Sequence, residues 1–156
     1  MVYDKKKTLR WVLVIAWMIF IFIMSNQPAE VSSQQSDLVV RLLAIVGIDM
    51  DSYFGDLATF IIRKSAHMME YFILFILWYR VLVLYVDNKK AKLYALGLVF
   101  LYASSDEFHQ TFVPGRSGEF KDVMIDTCGG VISLIVTIIY ENIKLRIKFR
   151  RECLVQ

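Results

Sequence analysis

Residues 11–24 read WVLVIAWMIFIFIM, an apolar stretch that contains no polar side chain. With residues 8–10 before it and 25–27 after it, the segment reaches the roughly 20 residues that a helix needs to cross a bilayer. A basic stretch followed by an apolar run also describes a signal peptide, but no small-residue cleavage site follows this one. We therefore interpret the segment as a retained membrane anchor.

Three further apolar segments predict membrane-spanning helices. The four predicted spans cover about residues 9–27, 66–86, 93–110 and 123–141. The third is short, and it crosses fully only if it extends through Asp106, Glu107 and Gln110. Hydrophobic residues make up 57% of the 156-residue chain, against about 45–50% in soluble domains. We expect one all-α domain over residues 1–156, a four-helix transmembrane bundle.

Basic residues indicate the direction of each span, because loops rich in Lys and Arg stay in the cytoplasm. They cluster before span one, between spans two and three, and after span four, so we expect both termini to be cytoplasmic in a multi-pass protein of the cell membrane. The net charge of +3 comes with no basic patch interleaved with aromatic residues, which argues against a nucleic-acid partner. The clusters are Lys5, Lys6, Lys7 and Arg10; Lys89, Lys90 and Lys92; and Lys144, Arg146, Lys148, Arg150 and Arg151.

The segment between spans one and two is too long for a tight turn. Ser32 and Ser33 precede an apolar helical face and predict a capped amphipathic helix that lies along the outer interface. Gly47 is expected to end it.

Polar residues of both signs open span two. Arg63, His67 and Glu70 share one helical face, with Lys64 beside them. Arg63 and Lys64 alone are typical of a membrane boundary. Glu70 lies a turn deeper, where an unpaired carboxylate costs several kcal/mol, so it is expected to have a partner, with His67 and Arg116 as the candidates.

Span three ends in a polar stretch that continues into a turn. Asp106 and Gln110 are four residues apart and share a face. Pro114-Gly115 forces a turn, and the small residues around Arg116 let backbone N–H groups approach an anion such as phosphate. Glycine-rich turns are far commoner than phosphate sites, so both interpretations stay open.

Span four opens with Asp122 and has Asp126 one turn deeper. An acid inside a span indicates a functional site, with a salt bridge or a helix N-terminal hydrogen bond as the structural alternative. Gly129, Gly130 and Ser133 then predict close helix packing.

Four segments of the chain match a known pattern. They are Ser25-Asn26-Gln27-Pro28, Arg63-Lys64-x-Ala66-His67-x-x-Glu70-Tyr71, Asp106-Glu107-x-x-Gln110-x-Phe112-Val113-Pro114-Gly115-Arg116 and Asp122-Val123-x-x-Asp126-x-x-Gly129. With these segments the chain resembles the VanZ-like membrane proteins, small four-helix proteins of bacteria. The resemblance implies a cell-envelope role and a link to low-level resistance to the glycopeptide teicoplanin, and it implies no reaction.

Three functions fit these residues. The first is an accessory protein that binds an anionic lipid headgroup or a lipid-linked cell-wall precursor at the outer leaflet, since arginine suits phosphate. We rank it first, because so many polar residues of both signs exceed what helix register requires. The predicted ligand-binding residues are Arg63, Lys64, His67, Glu70, Asp106, Gln110, Arg116, Asp122 and Asp126.

The second function is a membrane-embedded hydrolase or phosphoryl-transfer enzyme, and the third is a structural bundle in which ion pairs set helix register. No nucleophile motif such as G-x-S-x-G is present, so no catalytic residue is assigned. We expect no cofactor, although a divalent cation is possible. The candidate acids, bases or metal ligands are His67, Glu70, Asp106, Glu107, Asp122 and Asp126.

Overall fold

The computed structural model describes residues 5–55 and 57–153, and that part of the chain contains helices and no strand. The predicted all-α class is confirmed, while residues 1–4, 56 and 154–156 of the predicted domain lie outside the described ranges. The helices are α1 (Lys5–Ser25), α2 (Ala29–Ile45), α3 (Met50–Phe54), α4 (Leu57–Leu82), α5 (Asn88–Gln110) and α6 (Phe120–Cys153).

Two of these helices are long and apolar enough to cross a membrane, Lys5–Ser25 and Phe120–Glu152. At about 1.5 Å per residue, the length of α1 is sufficient to cross a hydrocarbon core of about 30 Å. The helices α4 and α5 have 26 and 23 residues, but charged and polar side chains interrupt their apolar stretches. Membrane-compatible helices are thus present, and the four crossings and their orientation stay predictions.

Helix α4 lies at the centre, where it packs against α1, α2, α5 and α6. Many apolar side chains of α1 and α6 remain exposed on the outside of the bundle, which suits a lipid environment. The buried core is formed by Ile21, Tyr71, Leu74, Phe75, Ala95, Val99, Ala103 and Val123.

The predicted serine cap of the second helix is wrong. Helix α2 begins at Ala29, with Pro28 at the N-cap and no side-chain cap, so Ser32 and Ser33 lie inside it. A proline favours a helix start here because it lacks the N–H group that would otherwise be unsatisfied. Gly47 follows the helix with φ of 90°, as its predicted role as a breaker requires.

The end of the bundle near the α4–α5 turn is held by a polar cluster that the sequence did not reveal. The carboxylate of Glu141 on α6 accepts hydrogen bonds from the Tyr79 hydroxyl, from Asn88 Nδ2 at 3.0 Å, and from the Lys92 ammonium. These contacts join α4, α5 and α6.

Glycines let α6 approach its neighbours closely, as predicted. A Cβ at Gly129 would fall well inside van der Waals contact of the Met68 carbonyl oxygen on α4, and one at Gly130 would press against Val99 on α5. The backbones of α4 and α6 therefore touch directly beside the polar residues of both helices.

We expect Gly129→Ala to destabilise the protein by about 1–3 kcal/mol or more, because its methyl group collides with backbone that cannot move aside. Gly97→Ala is the matched control: a Cβ there meets nothing within 4 Å, so alanine should preserve or slightly raise stability. Thermal unfolding of both variants in detergent measures the difference. Equal melting temperatures would refute the close approach.

Candidate functional site

A polar pocket opens at the end of the bundle where α5 runs into α6. Its cavity of about 340 Å³ lies between α4, α5, α6, the start of α2 and the loop at residues 115–119. Eight of the ten predicted site residues line it; Glu70 and Asp106 do not, but each lies next to a residue that does. The eight are Arg63, Lys64, His67, Glu107, Gln110, Arg116, Asp122 and Asp126.

Asp106 is buried, with 4% of its surface exposed, and its carboxylate holds two helices together. Its Oδ2 accepts a hydrogen bond from Ser25 Oγ on α1 at 2.7 Å and one from Gln110 Nε2 at 3.2 Å. The shared face of Asp106 and Gln110 is confirmed. Ser25 belongs to one of the four segments that match the known pattern. Asp106 lies 81 residues further along the chain, and nothing in the sequence predicts that the two residues are in contact.

Arg116 reaches into the pocket from the turn after α5. Its Nε donates to the Gln27 carbonyl oxygen at 3.0 Å and its Nη1 to Gln110 Oε1 at 3.2 Å. The backbone N–H of Ala29 donates to the Pro114 carbonyl oxygen at 3.2 Å, and Gly115 takes φ of 74°, so the predicted turn is present and packs on the start of α2.

Burial lowers the pKa of Arg116, and the nearby positive charge of Arg63 lowers it further. Arg63 donates from Nη1 to Ser33 Oγ at 3.3 Å. Within residues 5–55 and 57–153, neither guanidinium has a carboxylate oxygen within 4.0 Å. The acids Asp106, Glu107 and Glu70 act in the opposite direction on the pKa of Arg116. Both arginines thus line one cavity and hydrogen-bond neutral acceptors only, although carboxylates line the same cavity.

The predicted face of α4 is present, but its ionic contacts could not be foreseen. Lys64 Nζ lies 2.5 Å from Asp122 Oδ2 on α6, so this lysine is already neutralised. Of the two candidate partners of Glu70, His67 lies beside it, with Nδ1 3.8 Å from Oε2. That distance exceeds a hydrogen bond, and Glu70 Oε2 is buried without a hydrogen-bond partner.

Three helices bring titratable groups together beside the pocket. One donor atom each from His67 on α4, Asp106 on α5 and Asp126 on α6 lie within 4.8 Å of one another. Asp126 is 2% exposed, and its Oδ2 has no hydrogen-bond partner. Neither structural alternative for Asp126, a salt bridge or a capping hydrogen bond, occurs among the described residues.

Several pocket residues were not predicted. Glu119 and Lys121 line the cavity, and the Glu119 backbone N–H donates to Glu107 Oε2 at 3.2 Å. Large aromatic side chains around this end of the bundle are exposed, which is typical of a belt at the membrane–water interface. They are Phe60, Phe108, Phe112 and Phe120.

We expect Ser25→Ala to lower stability by about 1–3 kcal/mol, since it removes a donor from a buried carboxylate. Ser105→Ala is the control, because Ser105 is exposed on α5 and bonds only to the Tyr102 carbonyl oxygen of its own helix. Its effect should stay within about 0.5 kcal/mol. Unfolding of purified protein in detergent compares them, and a Ser25 variant as stable as the Ser105 variant would contradict the role of this hydrogen bond.

The chain was compared with protein families, with curated proteins and with solved structures. The model of a family described as VanZ/LLP1 matches residues 10–141, a range that contains every residue of the pocket. No curated protein and no solved structure matches this chain.

Proposed function

Since this chain belongs to the VanZ/LLP1 family and has membrane-compatible helices, we propose that it is a multi-pass membrane protein that binds a phosphate-bearing headgroup in the polar pocket. The headgroup belongs to an anionic lipid or to a lipid-linked cell-wall precursor of the outer leaflet. The observation that carries this proposal is the pair of arginines, Arg63 and Arg116, that face one cavity without a carboxylate partner.

Hydrogen-bonding capacity supports an anionic ligand. A guanidinium has five N–H donors, and the structure gives Arg63 one acceptor and Arg116 two. The N–H donors of each guanidinium that have no acceptor in the structure match the oxygens of a phosphate. A phosphate between the two side chains would also relieve their mutual repulsion, which lowers the pKa of Arg116.

Placement of the pocket supports a lipid as the source of that phosphate. The distribution of Lys and Arg puts both termini in the cytoplasm and this end of the bundle outside. Exposed Phe60, Phe108 and Phe112 would then lie at the level of the headgroups. A protein that occupies wall-precursor headgroups there would limit how much glycopeptide reaches its surface target, which gives a physical route to teicoplanin resistance.

The orientation is testable with single cysteines in a background in which Cys128 and Cys153 are replaced by Ser. Tyr53→Cys lies in the predicted outer segment at a position that is 81% exposed in the wild type, and an impermeant maleimide added to intact cells should label it. Lys89→Cys, in the predicted cytoplasmic turn, should react only after permeabilisation. The opposite labelling pattern would invert the topology and remove the outer-leaflet assignment.

Arg116→Ala should weaken binding of phosphate-bearing lipid about 10–100-fold, the loss expected for charge-assisted hydrogen bonds of about 1.5–3 kcal/mol. Arg41→Ala is the matched control, because the Arg41 side chain is 74% exposed on α2 and pairs with Asp37 at 2.9 Å. Native mass spectrometry of purified protein, titrated with phosphatidylglycerol or with a polyprenyl phosphate, measures both. Equal loss in the two variants, or none in either, would sink the proposal.

The same titrations separate sources and functions. Preference for the polyprenyl phosphate identifies a wall-precursor carrier, preference for phosphatidylglycerol identifies a bulk lipid, and binding of inorganic phosphate alone argues against a lipid ligand.

The convergence of His67, Asp106 and Asp126 favours hydrolysis as a second candidate function. Phosphate released from either lipid during incubation would favour that enzyme over a binding protein.

A further inference from the structure

The meeting point of α4, α5 and α6 has the composition of a metal site. We propose that His67, Asp106 and Asp126 bind one divalent transition-metal ion there. Their donor atoms, one from each residue, all lie within 4.8 Å of one another. This inference goes beyond headgroup binding and does not depend on it, because the ion has its own ligands.

An unpaired buried acid is the second observation that points to an ion. Asp126 is 2% exposed and its Oδ2 has no hydrogen-bond partner among the described residues. Buried polar oxygens in proteins are nearly always paired, so an orphan of this kind calls for a missing partner. Both Asp126 and His67 line the polar pocket, which provides a route for an ion from outside.

Several carboxylates near this point also lack a close cation. Within residues 5–55 and 57–153, four acids near this point have no Lys or Arg nitrogen within 4.0 Å. Lys64, which lines the same pocket, is paired with Asp122. Uncompensated carboxylates are costly in a low-dielectric surrounding, and a divalent ion neutralises two of them. The four acids are Glu70, Asp106, Glu107 and Asp126.

The donor set selects the class of metal. An imidazole with two carboxylates suits Zn²⁺ or Mn²⁺ better than Mg²⁺ or Ca²⁺, which prefer oxygen donors alone. Bonds of about 2.0–2.2 Å would draw each donor inward by roughly half an ångström, within the reach of side-chain rotation.

Supporting contacts around these ligands are already present. Ser25 Oγ and Gln110 Nε2 donate to the Asp106 carboxylate. Glu70 Oε2 lies 3.8 Å from His67 Nδ1, too far for a hydrogen bond but close enough to become a partner of the imidazole after a small side-chain rotation. Hydrogen bonds and carboxylates behind the ligands are what orient them in metal sites.

The test uses the full chain purified in detergent, stripped with EDTA and incubated with Zn²⁺ or Mn²⁺ in a buffer free of phosphate and lipid phosphate. Elemental analysis after desalting should find one ion per chain in the wild type. Asp126→Asn and His67→Gln should each weaken binding by more than about tenfold. Glu119→Gln removes a carboxylate from the same pocket but outside the cluster, and it should bind as the wild type does.

Two results would overturn the proposal. One is a wild-type protein that holds neither ion stoichiometrically, as expected if protons alone neutralise these acids. The other is an Asp126→Asn variant that binds as well as Glu119→Gln does. Should a ligand variant fail to fold, the Mn²⁺-loaded His109→Gln variant provides the test, because His67 is then the one histidine of the 156-residue sequence. Electron spin-echo spectroscopy should detect the coupling of a histidine nitrogen to the ion, and its absence refutes the site. Since no phosphate is used, either proposal can fail without the other.

Discussion

The buried carboxylate of Asp106 is the group around which the polar end of this bundle is built. Ser25 and Gln110 donate to it, Gln110 accepts from Arg116, and Arg116 donates to the carbonyl oxygen of Gln27. Because Ser25 and Gln27 are two residues apart, these bonds close a ring through α1, α5 and the turn that follows α5. Burial of a carboxylate is costly unless its oxygens are hydrogen-bonded, so the loss of one member of the ring weakens the support of the others.

This ring of hydrogen bonds explains why the long, flexible side chain of Arg116 has a defined position in the pocket. Arg116 comes from a turn, where side chains are ordinarily solvated, yet two acceptors on different elements hold it. Its guanidinium is thereby held at the wall of the cavity that Arg63 also lines. A ligand that binds between them meets groups already in place, so little ordering entropy opposes binding.

Close packing of α4 and α6 positions the other wall of the pocket. Where Gly129 lies against the Met68 backbone, the two helices approach within the reach of short side chains, so His67 on one meets Asp126 on the other. Glu141 holds the opposite end of the same helices through Tyr79, Asn88 and Lys92. Polar contacts at both ends and apolar packing between them fix the separation that the site needs.

Prediction from the sequence succeeded where the physical cause is local. Asp106 and Gln110 share a helical face, as predicted, because the period of a helix depends only on residue spacing. The chain turns at Gly115, as predicted, because glycine tolerates a positive φ. It was wrong at the start of α2, where Pro28 replaced the expected serine cap. Glu141 was not predicted to be important because it is the last residue of the predicted fourth span, where a carboxylate is ordinary. Its partners Lys92 and Tyr79 come from other helices.

The sequence by itself determined that this protein is helical and membrane-compatible, and which polar residues share a helical face, since apolar length and helical period belong to each segment alone. Only the tertiary structure decided which of those residues meet. Lys64 pairs with Asp122, whereas Arg63 and Arg116 line the pocket with no carboxylate oxygen within 4.0 Å among the described residues. Asp126 lies buried and unpaired beside His67 and Asp106. These outcomes depend on the approach and rotation of whole helices, which packing sets and no short stretch of sequence encodes.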